Sequence, residues 1–200
     1  MKKLVVATHN RDKFAELQKE LIGLPLEILP AFDFPGVPEV VEDGKTLEEN
    51  SLKKAKAISD FTGLPALADD TGLFVDALDG RPGIYAARFA GEGCSYADNV
   101  RKLISLLEGV PETRRTAFFR TVVTLLVPEQ APRAVAGEVR GLIVSSPRGS
   151  GGFGYDPVFQ PIGQSRVFSE MTLEEKNRIS HRGIAVRKTM ELLTELTRPE

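Results

Sequence analysis

Two long stretches rich in β-branched and aromatic residues, 116–127 and 134–144, constrain this chain most. Strands of that length following one another can pair directly, in antiparallel fashion, without a crossover helix between them. The chain begins differently. The apolar run Leu4-Val5-Val6-Ala7 reads as a strand, and Phe14, Leu17, Leu21 and Leu24 then recur at helical spacing behind Asn10, a suitable cap. A second short apolar run, Leu26-Glu27-Ile28-Leu29, precedes a loop punctuated by Pro30, Pro35 and Pro38. This β-α-β opening, joined to two adjacent long strands, predicts an α/β fold with a mixed sheet flanked by helices, as a single domain over residues 1–200 with two lobes.

Thr46-Leu47-Glu48-Glu49 matches a capping box, and Leu52, Ala55, Ile58 and Phe61 predict the buried face of a helix running to Thr62-Gly63. Pro65-Ala66-Leu67-Ala68 predicts a short strand that delivers Asp69 and Asp70 to its end. A third helix follows a cap near Ser95, with Val100, Leu103, Ile104 and Leu107 inside. Thr172-Leu173-Glu174-Glu175 repeats the capping-box pattern, and Val186, Met190, Leu192, Leu193 and Leu196 line the last helix.

A hydrophobic fraction of 42% supports a sizeable core without disulfides, and the single cysteine, Cys94, excludes thiolate-rich metal sites. The formal charge of −2 comes with scattered basic residues, which argues against a nucleic-acid-binding surface. No apolar run approaches the roughly 20 residues of a membrane span. A cytoplasmic, soluble protein is expected.

Ala68-Asp69-Asp70-Thr71-Gly72-Leu73 places two carboxylates and a hydroxyl together, an oxygen-only donor set suited to a hard cation such as Mg²⁺ and hence to phosphate chemistry. Glu42 or Asp43 could complete such a site with Asp70, and Lys54 and Arg88 could neutralise phosphates. The junction Thr8-His9-Asn10-Arg11-Asp12-Lys13 offers helix-terminal N–H groups, side-chain donors and one ammonium to an anion, without being a P-loop. In the glycine-rich stretch 149–157, Pro157 rules out the helix a dinucleotide fingerprint needs. Backbone could instead approach a flat ligand there, beside Phe153 and Tyr155, with Asp156 as an acceptor. Ser180-His181-Arg182 opens the final helix, with Ser180 as its cap and two cationic side chains expected to be exposed in its first turn.

Taken together and in order, Thr8-x-Asn10-x-x-Lys13, Glu49-Asn50, Ala68-Asp69-Asp70-Thr71-Gly72-Leu73, Gly80-x-Pro82-Gly83, Gly151-Gly152-Phe153-Gly154-Tyr155-Asp156-Pro157 and Ser180-His181-Arg182 resemble the inosine/xanthosine triphosphate pyrophosphatase family over nearly the whole chain. The resemblance implies a Mg²⁺-dependent homodimer, with two lobes around a long cleft, that hydrolyses ITP, dITP and XTP to the monophosphate and pyrophosphate. It makes Asp70 the metal-associated general base and Glu42 the second acidic ligand, with Asp69 assisting the metal or orienting it. Thr8, His9, Asn10, Arg11, Asp12 and Lys13 would hold the triphosphate with Lys54, and Thr71 would touch substrate. Phe153, Gly154, Tyr155, Asp156, Lys176, His181 and Arg182 would surround the base and sugar. His9, Thr71 and Ala86 depart from the family's commoner glycine, serine and serine. Two other readings compete: a related pyrophosphatase for pyrimidine or modified nucleotides, and a nucleotide-binding regulator without turnover.

Overall fold

The structure, a computed structural model, describes residues 2–197, with side chains described through Thr194. Its elements run β1 (Lys2–Val6), α1 (Arg11–Leu21), β2 (Leu26–Pro30), α2 (Leu47–Thr62), β3 (Ala66–Val75), β4 (Pro82–Gly83), α3 (Tyr96–Leu106), β5 (Thr116–Leu126), β6 (Arg133–Ile143), β7 (Phe159–Pro161), α4 (Leu173–Ile179) and α5 (His181–Thr197). The strand order is β2-β1-β3-β5-β6-β7, with β4 paired to β3. β1 runs parallel to β2 and β3, whereas β4 is antiparallel to β3 and β7 to β6, so the sheet is mixed as the sequence predicts. By its internal contacts the chain divides into two compact units, the first comprising Met1–Asp70, Thr121–Gly137 and Arg182–Glu200 and the second Thr71–Arg120 and Glu138–His181.

In the first unit, the two sides of β1 and β3 are buried against different helices. Leu4, Val6 and Leu67 pack with Leu17 and Leu21 of α1 and Ala185, Val186 and Leu193 of α5. Val5, Ala7, Ala66 and Ala68 pack instead with Ala55 and Ile58 of α2. This is the period-two alternation of a strand covered on both faces, and each fully buried leucine or isoleucine contributes about 1.5–3 kcal/mol. The second unit has its own core, in which Leu73, Val75, Leu103, Leu107 and Val158 surround an aromatic group. There the Phe119 and Phe159 rings lie 4.7 Å apart and the Phe159 and Phe168 rings 5.3 Å apart.

Three expectations need correction. β3 does not stop at Ala68 but continues to Val75, so Asp69 and Asp70 lie inside a strand and not at its exit. Asp, Thr and Gly are ordinary turn residues, but here Asp69, Asp70 and Gly72 are buried on a doubly covered strand, and tertiary packing overrides their local preference. On α2, Leu52 and Phe61 are exposed, and the buried face is Leu47, Asn50, Ser51, Lys54, Ala55, Ile58 and Ser59. Ala55 and Ile58 are buried as expected, but four of the seven residues on that face are polar, so apolar periodicity alone places its flanks wrongly. Leu24 lies beyond the end of α1. Among the last-helix residues, Val186 and Leu193 are buried, Met190 and Leu192 partly so, and Leu196 lies outside the described side chains.

Candidate active site

The alternation along β3 decides where its two aspartates go. Asp69 shares parity with Leu67 and points toward α1 and α5; Asp70 shares parity with Ala66 and Ala68 and points toward α2. Asp69 Oδ2 accepts from Nε and Nη2 of Arg182, each at 3.2 Å, and lies 3.4 Å from the Lys13 ammonium. Arg182 Nη1 donates in turn to Glu16, which is also buried. Burial alone would push the Asp69 carboxyl up, but the charges of Lys13, Arg182 and Lys54 prevail and hold it well below the usual carboxylate range. The Arg182 guanidinium is correspondingly held above its ordinary value: burial opposes its charge, and Glu16 and Asp69 outweigh that penalty.

Asp70 is set differently. Its Oδ1 lies 3.2 Å from the Lys54 ammonium, and its Oδ2 accepts from Asn50 Nδ2 at 3.2 Å. The Asn50 carboxamide oxygen accepts the Gly44 N–H at 2.8 Å, which fixes the amide so that its donor side faces Asp70. A Cβ on Gly44 would stand 2.5 Å from that same oxygen, so this approach requires glycine. Burial, reinforced by Glu42, raises the Asp70 pKa despite Lys54, Lys13 and the Asn50 hydrogen bond. Lys54 also donates to Glu42 Oε1 at 2.7 Å. Burial works against the Lys54 charge, and Asp70, Glu42 and Asp69 together keep its pKa above the ordinary lysine value.

Glu42 and Asp70 therefore converge on a single positive charge through hard oxygen atoms, a donor set that fits a magnesium ion completed by water and phosphate oxygens. Among the described residues no group of three or more His, Cys, Asp or Glu side chains gathers to hold a metal. Asp43, the other acidic candidate in that segment, is exposed and pairs with Lys53.

The strand, cap and helix at the junction between β1 and α1 form as the sequence predicts, but the cap itself occupies two of the N–H groups expected to face an anion. Asn10 Oδ1 accepts from the Asp12 and Lys13 N–H groups at 2.9 and 3.1 Å, and Thr8 Oγ1 accepts from the Asn10 N–H at 3.1 Å. Thr8 is buried, whereas His9, Arg11 and Asp12 are exposed, with the Arg11 guanidinium 4.7 Å from the centre of the Phe32 ring.

A second cluster belongs to the second unit. Asp156 Oδ2 accepts from Lys176 Nζ at 2.5 Å and from the Phe153 N–H at 2.9 Å. The Lys176 ammonium stands 4.8 Å from the centre of the Phe153 ring, a cation–π contact. Gly152, with φ of 69°, passes so close to the Asp156 carboxylate that a Cβ would collide with it. The Tyr155 side chain is part of the core, its hydroxyl donating to the Ala86 carbonyl at 2.9 Å, and burial raises its pKa. His181 stacks on Phe119 with centroids 4.4 Å apart. Thr71 is half-buried in the same unit, and Gly154 is half-buried in the loop. A cavity of about 430 Å³ elsewhere in this unit, lined by Asp76, Ala77, Gly109, Val110, Pro111 and Arg114, includes none of the expected site residues.

His181 and Arg182 are not exposed as expected: they retain 3% and 2% of their accessible surface. The cost of placing cations in the first turn of α5 is met by Glu16 and Asp69 around Arg182. Glu16 and Phe119 join these clusters with little to mark them in the sequence beyond an acid one turn past Lys13 on α1 and an aromatic in a strand. Asn50, part of the Glu49-Asn50 motif, takes its role from Asp70, which it orients.

A model of the Ham1 family matches residues 4–192. This chain belongs to the Ham1 family. A protein of Geobacter sulfurreducens named dITP/XTP pyrophosphatase is 53% identical over 186 residues, covering 93% of this chain and 94% of that protein. A Streptomyces coelicolor protein of the same name is 43% identical, covering 98% and 99%. Among solved structures, the HAM1 protein from Coxiella burnetii superposes with a TM-score of 0.88 at 39% identity, covering 98% of this chain and all of that one. The Staphylococcus aureus Ham1 protein does so with 0.86 at 33% identity over the same shares, so the fold is that of Ham1 proteins.

Proposed function

We propose that this Ham1-family protein hydrolyses deaminated purine nucleoside triphosphates, ITP, dITP and XTP, to the monophosphate and pyrophosphate, as a cytoplasmic homodimer that uses Mg²⁺. The observation that carries the reading is a pair of adjacent buried carboxylates on opposite faces of β3, Asp69 held by Arg182 and Lys13 and Asp70 by Lys54 and Asn50. The names of its Geobacter and Streptomyces relatives support the substrate class.

In this reading Asp70, oriented by Asn50, takes a proton from the attacking water as the water oxygen bonds to the α-phosphorus and the bond to the β-phosphate oxygen breaks. Lys13 and Lys54 stabilise the departing pyrophosphate, with Thr8, His9, Asn10, Arg11 and Asp12 forming the helix-terminal cradle. Glu42 and Asp70 hold the magnesium ion, which when bound supplies charge neutralisation to the phosphate oxygens. Thr71 contributes a hydroxyl to the substrate. Phe153 stacks on the base, Gly154 and the Tyr155 backbone line it, and Asp156 and Lys176 act as a fixed acceptor and donor. His181 presents a donor to the 6-oxo group, which adenine replaces with an amino donor, and a hydrogen-bonding site discriminates strongly against such a mismatch. Arg182 acts through Glu16 and Asp69, which engage its guanidinium.

The test is pyrophosphate release from ITP, dITP, XTP, ATP, GTP, dTTP and UTP with Mg²⁺. The reading expects strong preference for the first three; equal turnover of ATP, or preference for dTTP or UTP, contradicts it.

A further inference from the structure

We infer that Lys54 is a specificity-determining residue that makes this site take up its divalent cation together with a polyphosphate and not ahead of it. The inference rests on the proposed pyrophosphatase reading and goes beyond it, because it assigns Lys54 a role toward the cation as well as toward phosphate.

The Lys54 ammonium lies 2.7 Å from Glu42 Oε1 and 3.2 Å from Asp70 Oδ1, the same two carboxylates that suit a magnesium ion. It rises from the middle of α2, between Asn50 and Ile58, and the residue keeps 8% of its surface. A buried ammonium cannot be left without anions. A bare divalent cation arriving at these carboxylates must therefore either displace the ammonium or share the anions with it, and both weaken its binding. Two side-chain oxygens are also a small donor set, with no third acidic group gathered among the described residues to add to it. A triphosphate removes both obstacles: its oxygens give Lys54 new anions and give the cation further ligands. Coupling of this kind is reciprocal, so the cation strengthens nucleotide binding by the factor by which the nucleotide strengthens cation binding. Lys53, next in sequence, is exposed and pairs with Asp43, so it has no part in the device.

The probe is Mn²⁺, its binding to the full chain followed by electron paramagnetic resonance with and without α,β-imido-ITP, whose scissile bond resists hydrolysis. The wild type should bind Mn²⁺ weakly alone and about tenfold or more tightly with the analogue. Lys54→Met, which keeps most of the packed stem, should bind Mn²⁺ alone about tenfold tighter than the wild type, and the analogue should then add correspondingly less. Lys53→Met should follow the wild type. Should Lys54→Met fail to melt cooperatively, Lys54→Gln takes its place, and wild-type Mn²⁺ binding that ignores the analogue refutes the inference by itself. Where the wild type turns over ITP, Mn²⁺ binding by the folded Lys54 variant no tighter than by the wild type overturns the inference alone. A wild type that neither turns over ITP nor binds the analogue overturns the pyrophosphatase reading, and the inference with it.

Discussion

The two faces of β3 carry the same residue type one position apart and treat it in opposite ways. On the face toward α1 and α5, Asp69 is matched by two cations and kept ionised well below the usual range, as a fixed counter-charge. On the face toward α2, Asp70 meets one ammonium, a second carboxylate and an amide, and burial leaves its pKa raised. Burial is nearly equal on the two faces; the number of positive neighbours decides between anchor and candidate base. A turn at this place would have let both carboxylates face the same way. The continuous strand enforces their separation.

The largest effect that tests this contrast belongs to Asp70→Asn, which should lower kcat for ITP by about 10³-fold or more. The metal-free melting temperature should change little: a raised folded pKa means that ionised Asp70 costs stability once the pH exceeds its unfolded value of 3.8, while its loss takes one of two carboxylate partners from Lys54 and leaves Glu42. Steady-state kinetics and calorimetry on one preparation check both halves. Asp69→Asn should differ in stability, losing about 3 kcal/mol at neutral pH by breaking a buried pair, measurable by urea unfolding. Asp69 has a depressed folded pKa, so its contribution is complete above 3.8 and disappears as the pH falls toward the folded value. The wild type should therefore lose stability on acidification more steeply than Asp69→Asn.

A smaller change, Arg182→Lys, keeps the charge but not the fork that reaches Glu16 and two donors' worth of Asp69. It should cost about 1–3 kcal/mol, read from the same urea midpoints. Smallest of all, Leu52→Ser and Phe61→Ser should each stay within about 0.5 kcal/mol, since both side chains are exposed. A loss of several kcal/mol from either would restore the apolar face that the sequence suggested for α2.

What could be read from the sequence, and what could not, follows from how locally each feature is determined. Caps at Asn10, Ser95 and Thr172 engage backbone groups within three residues of themselves, and the structure shows all three. Of the paired long strands, β5 was legible from its dense β-branched and aromatic content and β6 from valine and isoleucine spaced along it. The motif set gave the family, which the match over residues 4–192 bears out. Hidden were the polar burials: Asn50 and Lys54 on α2, Glu16 on α1, and His181 and Arg182 at the start of α5. Each is buried against a distant residue, Asp70 for the first two, Glu16 and Asp69 around Arg182, and Phe119 under the His181 ring, and no local pattern announces such a partner. The same cause shortened the predicted β3, since two adjacent aspartates read as an exit until the cations that neutralise them are in place.

The central claim, that adjacent aspartates on one strand are held in different states by the helices they face, is tested most directly by a ¹³C NMR titration of the side-chain carboxyls in metal-free protein. Asp69 should titrate well below an ordinary aspartate and Asp70 above one. Matching midpoints, or the reverse order, would contradict the account.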